Sequence, residues 1–283
     1  MMRLGFHMSI AGSVANAPRS TIASGYNAFQ MFVSSSRSWR HSKIKKPDSE
    51  EFRRLVVGGD LNAYAHIPYL CNPSSTNPEV HRKSVGMLID NMKNCEQLGV
   101  RYLVVHLGSH LGKGLDEGVS NACKAFESGI EATRNVEILL ENTAGYKNSV
   151  GSRFGEIAEI IGRVGSRRIG MCLDTCHAFA AGYDLRTPRS VTGVMDELDG
   201  TVGIGKVKLV HLNDAKYGLA SHLDRHWHLG AGHIGREGFI ALFRNGALNG
   251  CGFIMETPAM AESDEAMNYK FARSMMANAG LEV

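Results

Sequence analysis

Six times along this chain a short apolar run stops at a residue able to bind a metal. The endings are Tyr64-Ala65-His66, Val104-Val105-His106, Leu139-Leu140-Glu141, Cys172-Leu173-Asp174, Leu209-Val210-His211 and Ile254-Met255-Glu256. An apolar run of roughly four to eight residues is the pattern of a parallel strand buried on both faces. The residue that closes it is aimed out of the core. One polar ending is ordinary, because every strand must end somewhere. Six endings drawn only from His, Asp and Glu imply convergence on one site.

The rest of the chain supplies the scaffold for such convergence. Strands are predicted at Arg3–His7, Ala28–Val33, Leu61–His66, Tyr102–His106, Val136–Glu141, Ile169–Asp174, Lys206–His211 and Gly252–Glu256. Helical periodicity separates them at Val14–Ser24, Ser49–Val57, Val80–Leu98, Asp116–Arg134, Phe154–Val164, Ser190–Thr201, Glu237–Asn245 and Asp264–Ala279. Strands and helices in strict alternation read as repeated βα units with right-handed crossovers. Eight such units predict an α/β fold of the closed (β/α)8 TIM-barrel type, one domain over residues 1–283. In that fold the active site lies at the C-terminal face of the strands, so the six endings would share one rim. An open doubly wound sheet would divide them across a switch point.

Composition narrows the class. With 43% hydrophobic and 21% charged residues the chain is an ordinary globular protein. No apolar stretch is long enough for a membrane span, and the start, Met1-Met2-Arg3-Leu4-Gly5-Phe6-His7, has no signal-peptide pattern. A cytoplasmic location is expected. The six cysteines have no framework spacing, which favours reduced buried thiols. The net charge of +3 permits a nucleic-acid partner without requiring one. The cluster Arg37, Trp39, Arg40, His41, Lys43, Lys45 and Lys46 suggests a phosphate-contacting loop.

Three further candidates follow strand ends: His177, Asp224 and His226. The inventory is then His66, His106, Glu141, Asp174, His177, His211, Asp224, His226 and Glu256. Imidazole with carboxylate and no thiolate suits Zn²⁺ or Mn²⁺ in a catalytic site. Nine ligands are too many for one metal, ample for two and enough for three if a carboxylate bridges. His7 is expected to support the ligands. Cys172 and Cys176 are expected to pack, and no role is assigned to His222, His228 or His233.

Several stretches carry a family resemblance: Val105-His106-Leu107-Gly108-Ser109-His110, Leu140-Glu141-Asn142-Thr143-Ala144-Gly145, the block Leu173 to Asp184, His211-Leu212-Asn213-Asp214-Ala215-Lys216 and Asp224-Arg225-His226. With Leu229-Gly230-Ala231-Gly232-His233-Ile234-Gly235, they resemble endonuclease IV, the family-2 apurinic/apyrimidinic endonuclease of base-excision repair. The resemblance implies three zinc ions per chain, Mn²⁺ being an alternative in one position. One zinc would take His66, His106 and Glu141; a second Glu141, Asp174, His211 and Glu256; a third His177, Asp224 and His226.

The resemblance also implies the activity. The enzyme would hydrolyse the phosphodiester 5′ to an abasic site in duplex DNA, leaving a 3′-hydroxyl and a 5′-deoxyribose phosphate, with 3′-end trimming as a further activity. Glu141, Glu256 and Asp174 would be the catalytic carboxylates. Arg37, Tyr69 and Leu70 occupy the positions of the family's DNA-inserting side chains, and Lys216 and Arg225 are candidate phosphate contacts. Ser34-Ser35-Ser36 and Ile67-Pro68 depart from the family's commoner residues in the DNA-reading loops. A monomer is expected. The rival reading is a metal-dependent sugar isomerase or epimerase on the same barrel, which would leave His177, Asp224 and His226 without a task.

Overall fold

The computed structural model describes residues 2–35, 38, 39, 43–261 and 263–282. Eight parallel strands close into a barrel: β1 (Arg3–His7), β2 (Ala28–Phe32), β3 (Asn62–His66), β4 (Tyr102–His106), β5 (Glu137–Glu141), β6 (Ile169–Asp174), β7 (Val207–His211) and β10 (Gly252–Met255). Their order around the barrel follows the chain, and β10 pairs with β1 to close it. The (β/α)8 architecture predicted from alternation is the one observed.

Helices α1 (Asn16–Ala23), α2 (Lys46–Gly58), α3 (Pro78–Leu98), α4 (Leu115–Glu131), α5 (Phe154–Val164), α7 (Pro188–Thr201), α8 (Gly235–Asn245) and α9 (Asp264–Asn278) surround it. Local chemistry sets their ends. The Asn77 side chain accepts from the N–H groups of Glu79 and Val80 to open α3, and Gly99 closes it in the left-handed conformation. Thr187 and Ser190 form a capping box on α7. No helix among the described residues is long and apolar enough to cross a membrane.

Several short elements were not expected, among them a 3-10 turn at Ile204–Lys206 that delays β7 to Val207. The one-and-a-half-turn α6 (Thr175–Ala180) follows β6 directly, capped by that strand's last residue, Asp174, and a two-stranded ribbon pairs β8 (Asp214–Ala215) with β9 (His226–Trp227). All are too short to leave a periodic signal. Strand β10 stops at Met255, so Glu256 stands just beyond it rather than within it.

The barrel has two apolar layers. The larger lies between strands and helices, and the smaller fills the bore with Ala28, Tyr64, Val104, Leu139, Cys172, Leu209 and Ile254. Gly5 leaves the β1 position bare: a Cβ there would lie 1.7 Å from the Ala28 carbonyl oxygen. Side chains alternate across a strand, so residues two farther on also face the bore. Those residues are His7, Gln30, His66, His106, Glu141, Asp174, His211 and Glu256. The apolar plug thus carries a polar ring above it.

Candidate metal centre

Each strand of the ring delivers its side chain because its preceding inward residue is locked in the plug. His66, Glu141, Asp174, His177 and His211 are buried; His106, His226 and Glu256 are partly so. Their donor atoms fall into three groups, each within 4.8 Å: His66, His106 and Glu141; Glu141, Asp174, His211 and Glu256; and Asp174, His177 and His226. In the first, His66 Nε2 lies 3.1 Å and His106 Nδ1 3.0 Å from Glu141 Oε2. In the second, His211 Nδ1 lies 2.9 Å from Glu141 Oε1, 3.3 Å from Glu256 Oε2 and 3.8 Å from Asp174 Oδ2. Donors about 2.1 Å from a common tetrahedral centre stand roughly 3.3 Å apart, so these spacings suit one small cation per group.

The third group has Asp174 as an additional neighbour. Asp174 was expected in the second group alone, but its Oδ2 also lies 3.4 Å from His226 Nε2. The Asp174 side chain caps α6 by accepting from the His177 N–H, and the first turn brings His177 back over the same carboxylate. Asp224 approaches from the loop: its Oδ1 is 3.1 Å from His177 Nε2 and 3.5 Å from His226 Nε2. All nine residues therefore meet at the mouth.

Four of the histidines have one ring nitrogen engaged by a carbonyl oxygen. His66 Nδ1 is 2.7 Å from Ile67 O, His177 Nδ1 2.9 Å from Asn142 O and His226 Nδ1 3.2 Å from Glu256 O. His211 Nε2 is 2.8 Å from Gln30 Oε1. A carbonyl only accepts, so each of these nitrogens carries a proton, and the other nitrogen faces the carboxylates. A bare lone pair against a carboxylate is repulsive. A cation between them resolves the repulsion, and the buried His177 Nε2 and His226 Nε2 have no hydrogen-bond partner among the described residues.

Charge leads to the same conclusion. Glu141, Asp174, Asp224 and Glu256 have no ion pair with Lys or Arg among the described residues. Burial works to lower the pKa of His226, but Asp174 and Glu256 raise it to about 9. Burial likewise opposes charge on His177 and His211, yet Asp174 and Asp224 around the one and Cys172, Glu256 and Glu141 around the other push both well above the usual imidazole value. His106 is the exception, since burial lowers it to about 4. Although burial raises Asp224, His177 and His226 bring it down to about 2. The site calls for positive charge at the points where metal ligands converge.

The family model for the xylose isomerase-like TIM barrel matches residues 19–278. The probable endonuclease 4 of Cenarchaeum symbiosum is 42% identical over 278 residues, 97% of this chain and 99% of that one. The chain belongs to the endonuclease IV family. The crystal structure of endonuclease IV from Thermus thermophilus superposes with a TM-score of 0.87 at 39% identity, covering 97% of this chain and 99% of that one. A D-tagatose 3-epimerase-like protein superposes at 0.78 with 19% identity and shares the fold, covering 99% of this chain and 98% of that one. Endonuclease IV membership and the clustered His, Asp and Glu donors are compatible with metal binding at the mouth.

The expected DNA contacts are placed unevenly. Tyr69 is 72% exposed, with its ring 6.2 Å from that of His106. Leu70 is half-buried against the core rather than protruding. Arg225 is exposed and lines the mouth, a cavity of about 500 Å³. Lys216 is exposed with its Nζ 4.6 Å above the Trp227 ring, outside the cavity wall. Arg37, Arg40 and His41 lie outside the described residues. A second cavity of about 250 Å³ adjoins the first through Tyr69, His106, His177 and Asp224.

Several supporting residues were not anticipated. Asn213 donates to Asp174 Oδ2 at 2.8 Å and accepts from the Glu256 N–H at 2.8 Å. Asn142 exchanges hydrogen bonds with the Asp174 backbone. Asp214 is fully buried and accepts from the N–H groups of Ala215, Gly230, Gly232, Ile234 and Gly235, which pins the loop bearing Asp224 and His226. Gly232 is required there: a Cβ would come within 2.5 Å of Asp214 Oδ1. Burial still leaves the Asp214 pKa raised. Asn213 and Asp214 sit in the Leu212-Asn213-Asp214 motif, so the signal was present; their function was not. The six cysteines are free and buried, as expected, with burial taking Cys172 up to about 12.

Proposed function

We propose that this chain is a DNA-repair endonuclease that hydrolyses the phosphodiester 5′ to an abasic site, leaving a 3′-hydroxyl and a 5′-deoxyribose phosphate. The observation that carries it is the set of imidazoles whose protons are tied to carbonyls and whose free nitrogens face four carboxylates, in a chain of the endonuclease IV family. His66, His106 and Glu141 would hold one zinc. Glu141, Asp174, His211 and Glu256 would hold a second, and His177, His226 and Asp224, with Asp174 close by, a third. Imidazole and carboxylate without thiolate allow Zn²⁺ or Mn²⁺, and the family resemblance favours zinc, with Mn²⁺ an alternative in one position. Metals bound there activate water and stabilise charge on the leaving oxygen.

The protein's own groups supply position and exclusion. Glu141 joins two groups through its two oxygens, and Glu256 orients the nucleophile at the cavity wall. Arg225 offers a guanidinium to a phosphate at the rim. Tyr69 presents an aromatic face to a nucleotide displaced from the stack, and an abasic nucleotide leaves the stack at little cost. The same hydrolysis applied at a 3′ terminus would trim blocked ends.

A nicking assay on an abasic duplex, with and without chelator, tests the reading alongside elemental analysis. Strand cleavage that needs metal, at near three zincs per chain, is expected. One or two metals with sugar isomerisation and no nicking would favour the rival. Light scattering is expected to show a monomer.

A further inference from the structure

Every barrel strand places a polar side chain in the ring above the plug, and on β2 that residue is Gln30. It is fully buried. Three of the four carbonyl-held histidines lean on backbone oxygens, which no side-chain substitution removes. His211 alone leans on a side chain, with Nε2 2.8 Å from Gln30 Oε1. The nitrogen of the same amide lies 2.7 Å from Glu256 Oε1 and 3.1 Å from His7 Nδ1.

Chemistry fixes which way this amide points. A carboxylate accepts only, so the amide nitrogen must face Glu256, and the oxygen must then face His211. His211 is thereby obliged to carry its proton on Nε2 and to offer Nδ1 to Glu141 and Glu256. Turning the amide over would set oxygen against carboxylate oxygen, and that arrangement repels.

We propose that Gln30 is the positioning residue of the central metal group, one amide setting both the tautomer of His211 and the rotation of Glu256. It rests on the metal reading given above. Gln30 need not touch substrate or metal; it acts through two residues on β7 and beyond β10, on the opposite side of β1. Hydrogen-bond partners of ligands in other metal sites change metal affinity or activity by about 10- to 100-fold.

The test uses the full chain with Gln30→Leu, which keeps the volume and loses all three contacts of the amide, and Gln30→Glu. The second keeps an acceptor for His211 but sets a carboxylate against Glu256. Zinc content, the rate of zinc release to a colorimetric chelator, and kcat and KM on an abasic duplex are measured. In both variants one metal's worth of zinc should leave about 10- to 100-fold faster while the rest leaves at the wild-type rate. kcat should fall by a similar factor, with KM within about twofold. If Gln30→Leu does not fold, Gln30→Glu carries the test. Wild-type release and kcat in a folded variant overturn the proposal, as does uniformly faster release of all the zinc. A wild-type protein without zinc overturns the metal reading instead, and this proposal with it.

Discussion

The two ends of the barrel treat charge in opposite ways. At the amino end, Glu137 opens β5 and accepts from Arg101 Nε at 2.7 Å, and Arg3 meets Asp60 at 2.9 Å. Glu96 there accepts the N–H groups of Arg134 and Asn135, while Arg168 donates to Val136 O and Ile130 O. These charged groups find their partners within the chain. At the mouth, four carboxylates share histidines with one another and meet no Lys or Arg among the described residues. A floor that balances itself supports the fold, and a mouth completed from outside supports chemistry.

That contrast breaks most readily at Glu256. Glu256→Gln should cut nicking of an abasic duplex by about 10³-fold or more, roughly 4 kcal/mol of barrier, with the fold intact. Wild-type turnover at full zinc content would end the assignment. Next comes Asp214, which holds the third group's loop by five N–H groups. Asp214→Asn replaces an acceptor by a donor and should cost about 2–3 kcal/mol in urea unfolding, with a roughly tenfold loss of kcat. Unchanged unfolding would mean the loop is held by other contacts.

The pH response sharpens the comparison further. In chelator-stripped protein, His226 is raised to about 9, above its unfolded value of about 6.5. Its contribution is therefore fully present below about pH 6.5 and is lost as pH rises through about 9, a fall on the order of 3 kcal/mol. Asp224 is lowered to about 2. Its contribution is present above about pH 4 and is lost as pH falls through about 2. Zinc requires neutral imidazole, so zinc loading should flatten the alkaline limb. Urea titrations from pH 6 to 10 with and without zinc read this directly, and identical slopes would count against it. The smallest effect is expected at the floor, where Arg101→Ala should cost about 1 kcal/mol and leave kcat unchanged.

Much of this contrast was legible in the residues. The starts and ends of β1, β4 and β6 coincide with the predicted runs, and α5 does so at both ends. Buried parallel strands and caps write themselves strongly into sequence. Gln30 was not legible, because Met31, Phe32 and Val33 continue the apolar run beyond it. Its signal was positional: it stands two residues after Ala28, as His66 stands after Tyr64. Asp174's second association was hidden because α6 is too short for periodicity to reveal. Asp214's hub depends on backbone N–H groups from a loop, and those leave no side-chain signature.

The polar ring above the apolar plug has a consequence for how this protein can change. Whether a side chain enters the bore or the outer layer depends on whether its position along the strand is odd or even. Removing one residue early in β5 would exchange Glu141 for Leu140 in the bore, with the overall composition almost unaltered. Each strand therefore acts as a parity check on its own ligand. Strand interiors should tolerate conservative replacement far better than single-residue insertion or deletion, while the loops between them vary freely in length.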